Sequence, residues 1–193
     1  RDLTSGEFWS AAYQPTLRLT ENYEAVFTQA RAEFRERQNR LELHTEICVS
    51  PEDDVEVRRV TLTNHASTTR IIELTSYAEV VLATQAADEA HPAFSNLFVQ
   101  TEFAPASSAL LCTRRARSED EKPPWLVHLL VGHGGQQSDI SCESNRSRFI
   151  GRGGTLVRPA ALRGPLSHTA GSVLDPSLSL RRTATLQPDA TAV

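Results

Sequence analysis

The chain has 193 residues, with 20 Lys and Arg against 24 Asp and Glu and a formal charge of -4. That balance lacks the clustered basic face that a nucleic-acid partner needs. No apolar run reaches the roughly 18 residues of a spanning helix, so no direct membrane insertion is expected, and no charged-then-apolar leader opens the chain.

The length suits one large domain with a sizeable core, and residues 1–193 are read as a single domain. Residues 6–10 are expected to form a short strand after a turn at Thr4, Ser5 and Gly6, and residues 11–20, with Pro15, a loop. Tyr23, Ala25 and Phe27 then alternate with Glu24, Val26 and Thr28. Ala32, Phe34 and Glu36 alternate with Glu33, Arg35 and Arg37, and Leu41, Leu43, Thr45, Ile47 and Val49 alternate with Glu42, His44, Glu46 and Cys48. A period of two marks strands with two distinct faces. Gln38, Asn39 and Arg40 form the expected hairpin turn between the last two.

Residues 54–83 are expected to form one long hairpin around the polar cluster of Asn64, His65, Ala66, Ser67 and Thr68. The apolar phase slips at Arg58 and Arg59, where a β-bulge would keep both apolar sets inward. In the second arm Ile72, Leu74, Ser76, Ala78, Val80 and Leu82 share the expected core face. Glu73 and Glu79 fall on the solvated face, about 20 Å apart and too far for a glycosidase pair.

Residues 84–89 read as one helical turn and residues 91–96 as a proline-containing loop. Strands are expected over 97–103, 109–113 and 125–131, with an exposed loop over 114–124 and a glycine-rich turn over 132–137. Weaker strands follow over 138–143 and 146–150, then a long ordered loop over 151–176 and a last strand over 178–186. Many short strands without helical crossovers give an all-β fold, a large antiparallel β-sandwich of about ten or more strands.

Three cysteines, Cys48, Cys112 and Cys142, are an odd number at irregular spacing, so free thiols and a reducing compartment are expected. None of the six histidines pairs with a second His or a Cys at metal spacing, and no metal or cofactor is expected. Gly151, Arg152, Gly153 and Gly154 could cradle a phosphate, but no P-loop Lys-Ser/Thr ending or helix follows, and a turn is the simpler reading. No nucleophile elbow is present. The residue chemistry alone reaches a β-sandwich associated with carbohydrate.

Several segments together resemble glycoside hydrolase family 94. They are Arg1-Asp2-Leu3-Thr4-Ser5-Gly6-Glu7-Phe8-Trp9-Ser10 with Gln14-Pro15, the run Val49 to Arg59, Glu73 to Ala83, His91 to Phe98, Arg148 to Gly153, and Gly164-Pro165-Leu166-Ser167. Within the family, all but the first of these segments resemble the cyclic β-1,2-glucan synthase branch. The resemblance implies a galactose-mutarotase-like supersandwich domain that precedes an (α/α)6 barrel carrying the general acid. The chain alone is then expected to hold no catalytic residue. Its expected partners are β-1,2-glucan or a related oligosaccharide, the helical barrel of the same parent, and a second copy of the chain. The implied parent is a bacterial inner-membrane synthase with this domain on the cytoplasmic side. The chain begins without methionine, and a fragment of a longer protein is expected. Phe94, Ser95 and Asn96 are the candidate substrate-binding residues, since related phosphorylases bring an Arg to the matching loop where Asn96 stands here. The alternatives are the same domain from a cellobiose-type disaccharide phosphorylase, or a free-standing carbohydrate-binding or protein-interaction module.

Overall fold

The computed structural model describes residues 1–116 and 118–193, and only the backbone of Pro92. Arg117, within the loop expected over 114–124, lies outside the described residues. The strands are β1 (Asn22–Phe27), β2 (Ala32–Gln38), β3 (Leu41–Val49), β4 (Glu56–Asn64), β5 (Arg70–Thr75), β6 (Ala78–Glu79) and β7 (Val99–Ala104). They continue with β8 (Ala109–Arg114), β9 (Trp125–Leu129), β10 (Gln136–Gln137), β11 (Ser141–Asn145), β12 (Gly171–Ser172), β13 (Pro176–Leu186) and β14 (Thr191–Ala192). Among the described residues three short α-helices join them, α1 (Gln85–Ala90), α2 (Pro92–Asn96) and α3 (Arg146–Ile150), with 3-10 turns at Pro105–Ser107 and Ala160–Arg163. The fold is the all-β antiparallel sandwich expected from the sequence.

The chain divides into two compact units. One comprises Arg1–Leu74, Gly132–Ser138 and Thr183–Val193, and the other Thr75–Val131 and Asp139–Arg182. In the first, the sheet order is β1-β2-β3-β4-β14. Asn39 and Arg40 both take positive φ, 49° and 61°, which gives the two-residue β2–β3 turn the twist that antiparallel strands need. The core of this unit is Leu41, Leu43, Leu62, Ile72, Ala184, Leu186 and Ala192, with Trp9 packed against it. Asn64 is fully buried and makes the 64–68 turn a closed one. Its amide donates to the carbonyls of Thr68, Leu186 and Gln187 at 2.9, 3.1 and 3.1 Å, and its Oδ1 accepts from the Ala66 amide.

In the second unit the sheet order is β12-β7-β8-β9, and the N-terminal part of β13 pairs with β6 and β11. Its core is Val80, Val99, Leu110, Cys112, Cys142, Leu178 and Leu180. A smaller cluster of Phe149, Ile150, Ala161 and Leu166 packs under Tyr77. Gly151 takes φ 86° there, and a Cβ would stand 2.6 Å from that of Ala160, so only glycine lets the chain pass.

The structure corrects several expectations. No bulge interrupts β4, whose register against β3 runs unbroken from Val49↔Glu56 to Leu41↔Asn64. The apolar slip arises because Val55 and Val57 are exposed, 49% and 52%, and were never part of a core face. β4 pairs with β3 and β14 while β5 pairs with β13, so residues 54–83 are not one hairpin. The second arm breaks after Thr75, leaving Leu74 half-buried and outside the core clusters, whereas Ile72 and Val80 are each 3% exposed. Glu73 is buried rather than solvated, with the Arg1 guanidinium 3.7 Å from its carboxylate. Residues 6–10 form no strand, residues 92–96 are helix α2 rather than loop, and residues 146–150 are helix α3 rather than strand. In α3 the Asn145 side chain caps the helix by accepting from the Arg148 amide, a polar signal that the alternating pattern hid.

Candidate functional site

The candidate residues Phe94, Ser95 and Asn96 all lie on α2, which follows α1 after a break at His91. His91 leaves the helical region, with φ -152° and ψ 71°, and its carbonyl accepts from the Ser95 amide at 2.9 Å. The three side chains have different fates. Phe94 points outward, 60% exposed, with its ring edge-on to Phe98 at 5.1 Å. Ser95 turns inward and is 5% exposed. Asn96 is half-buried.

The residue that sequence reasoning missed is Arg114, at the end of β8. Its Nη1 donates to the carbonyl and the hydroxyl of Ser95, each at 3.1 Å, and to the carbonyl of Val81 at 3.4 Å. The guanidinium lies 5.8 Å from the centre of the Phe98 ring, within cation–π range. One cation thus satisfies a carbonyl at the C-terminal end of α2, where positive charge is favourable, and braces the ring against which Phe94 packs. In the sequence Arg114 merely opens a charged loop, and only the β7–β8 pairing brings it beneath α2, through Val99↔Arg114. The site therefore offers an exposed aromatic face on a pinned helical turn, an arrangement that can stack on the apolar face of a sugar ring.

The family-like motifs elsewhere serve structure. Asp2 is fully buried and binds the Thr4 amide, the Ser5 hydroxyl and Arg70, the last at 2.6 Å. Burial raises its pKa, but these partners together hold the carboxyl below its ordinary value. Arg18 pairs with Glu7 and donates to the Phe8 carbonyl. Glu143, 2% exposed, accepts from the Asn145 amide and from the Ser167 hydroxyl, and Arg148 reaches Ser167 and Thr169 at 3.2 and 3.0 Å. Cys112 and Cys142 are free and buried, with burial pushing their thiols up to about 12 and about 11, while Cys48 is free and exposed.

Glu33, His44 and Glu46 gather their ligand atoms within 4.8 Å of one another, the kind of group that could hold a metal. Sequence spacing missed it because the residues come from two strands. Arg31 already bonds both carboxylates, at 2.7 and 3.0 Å, and Arg35 reaches Glu33 at 3.3 Å, so cations occupy the place a metal would take. The His44 contact, then burial and the arginines, leave the Glu33 carboxyl below its ordinary value.

The family profile "Glycosyl hydrolase 94, supersandwich domain" matches residues 1–193. The chain is 38% identical over 184 residues to the cyclic beta-(1,2)-glucan synthase NdvB of Rhizobium meliloti (strain 1021), covering 94% of this chain and 6% of that protein. It is 23% identical over 191 residues to the solabiose phosphorylase of Paenibacillus borealis, covering 97% of this chain and 23% of that protein. The chain thus spans only a small part of these relatives, and across its whole length it belongs to glycosyl hydrolase family 94 as that family's supersandwich domain.

Proposed function

We propose that the chain is the non-catalytic, sugar-facing domain of a cyclic β-1,2-glucan synthase. On this reading it flanks a phosphorylase-like helical barrel and brings α2 nearest the sugar. The observation that carries the reading is Phe94, a 60% exposed ring on a turn fixed by Arg114. An aromatic held this way loses little freedom when a ligand stacks on it. The 38% identity to a cyclic glucan synthase favours that parent over a disaccharide phosphorylase, to which the identity is 23%. The parent would sit in a bacterial inner membrane with this domain on the cytoplasmic side. Among the described residues, no helix is long and apolar enough to cross a membrane.

The test is made in the polypeptide that carries this domain together with the rest of its parent. Phe94→Ala combined with Asn96→Ala is expected to shift the ring-size distribution of the cyclic glucan while the protein remains folded. A folded variant with an unchanged product distribution would contradict the proposal.

A further inference from the structure

Between Ser144 and Leu174 the chain carries five arginines, Arg146, Arg148, Arg152, Arg158 and Arg163, and no Asp or Glu. In a chain of formal charge -4, this stretch alone therefore carries +5. It folds as one lobe within the second unit. Helix α3 meets the 3-10 turn at Ala160–Arg163, and Phe149, Ile150, Ala161 and Leu166 pack together there. The connecting loop is fixed by its own backbone. The Gly154 amide donates to the Gly151 carbonyl at 3.0 Å, and the Arg158 amide to that of Thr155 at 3.2 Å. A Cβ on Gly154 would stand 2.4 Å from the Ile150 carbonyl oxygen, so the loop lies tight against α3.

Arg146 is engaged by Glu79 and Asp175, at 2.8 and 3.4 Å. The other four arginines are exposed, and among the described residues none of them pairs with a carboxylate. Arg148 donates to the hydroxyls of Ser167 and Thr169. Glu143, just before the stretch, is buried and takes the Ser167 hydroxyl, so it presents no carboxylate at the surface. Elsewhere Arg1, Arg18, Arg31, Arg35, Arg58 and Arg70 each pair with a carboxylate. Four like charges on one lobe repel one another and raise a local positive potential that the domain itself does not answer. The same stretch exposes two large apolar side chains, Val157 at 44% and Leu174 at 79%.

We infer that this lobe is a peripheral docking surface for an anionic lipid leaflet, whose headgroup phosphates take the guanidinium groups of Arg148, Arg152, Arg158 and Arg163 while Val157 enters the boundary beneath them. Guanidinium groups bind phosphate oxygens two at a time. Basic side chains are drawn to an anionic leaflet once within about a Debye length of it. An apolar side chain among them adds burial at the headgroup boundary. The complementarity is local. With its net charge of -4 the chain as a whole is repelled by such a leaflet, so attraction comes through this lobe and fixes which side faces the lipid. An acidic polypeptide would answer the charge but set carboxylates around Val157, which is the reason to commit to a leaflet. The inference rests on the inner-membrane parent proposed above, which puts a leaflet at hand, and not on the role of α2.

The test is co-sedimentation of the chain with vesicles of equal parts phosphatidylglycerol and phosphatidylcholine, with pure phosphatidylcholine vesicles alongside, at low and at physiological salt. The expected result is binding to the anionic vesicles at low salt, weaker binding at physiological salt, and none to the neutral vesicles. Arg152→Gln combined with Arg158→Gln is expected to lower the partition about twentyfold, since one arginine at a charged leaflet contributes on the order of fivefold. Arg58→Gln combined with Arg59→Gln makes the same change in net charge outside the lobe and is expected to leave the partition unchanged. All four positions are exposed, and both variants are expected to melt with the original chain. Polyglutamate and inorganic phosphate, at matched ionic strength, are expected to displace the chain from the vesicles no more than chloride does. No binding to anionic vesicles at low salt, equal binding to neutral ones, equal losses in the two double variants, or stronger displacement by polyglutamate or phosphate would each overturn the proposal. Vesicle binding is read on the chain alone and the location of the parent by membrane fractionation, so failure of one is told apart from failure of the other.

Discussion

Glu36 is the residue on which the physical chemistry is most exposed to test. Burial pushes its carboxyl up to about 7, and the nearby Tyr13 amide offsets this only in part. The same carboxylate raises the Tyr23 phenol, after the larger effect of that ring's own burial. A carboxyl whose pKa is higher folded than unfolded binds its proton more tightly in the native state. Its contribution to stability is therefore full below about 4.5 and is lost as the pH rises through about 7. The displacement corresponds to about 3 kcal/mol. Urea unfolding of the chain and of Glu36→Gln at a series of pH values is expected to give a stability difference that changes by that order between pH 4 and pH 8. A difference flat across the window would mean that Glu36 is solvated or paired. In the sequence Glu36 shares the parity of Phe34, so its face was legible. Its burial was not, because period two says which side a residue takes and nothing about what meets it there.

At the scale of elements, the two arms of residues 54–83 separate what a pattern can and cannot tell. Leu180 on β13 is fully buried in the second unit's core, and Leu180→Ala is expected to cost about 2–5 kcal/mol. Leu74 has the same place in an alternating run yet is only half-buried, and Leu74→Ala is expected to cost about 1 kcal/mol. Denaturation midpoints of the two variants check this, and equal losses would contradict the burial difference. Alternation located β2, β3, β8 and β13 because each has a buried face, and the β2–β3 turn followed from Asn39 and Arg40. It misread β4 because Val55 and Val57 are apolar and exposed. It could not give β5 its partner, because β13 lies more than a hundred residues along the chain and parity does not name a neighbour. Helix α2 was hidden behind Pro92, which reads as a loop signal although proline suits a helix's first turn. The candidate site was legible only as a segment, through the family-like residues His91 to Phe98. That Phe94 faces solvent, that Ser95 faces inward and that Arg114 bonds Ser95 came from the fold.

At the scale of the molecule, the chain is a supersandwich domain with a core in each of its two units and an exposed aromatic ring at its candidate site. The arginines tied to Asp2, Glu7 and Glu33 bind within the domain, whereas Phe94 and Phe27 are rings that the domain leaves uncovered. Rings held on rigid strands and short turns, with the loops carrying the variable contacts, are how a scaffold presents a sugar-binding wall. The central claim is that α2 meets the sugar in the parent. Oxidative footprinting of the longer polypeptide, with and without β-1,2-glucan, tests it most directly. Trp125, 62% exposed on β9 and outside the candidate site, serves as the internal reference. The account predicts that added glucan lowers modification of Phe94 while Trp125 is modified as before; Phe94 modified equally with and without glucan would contradict it.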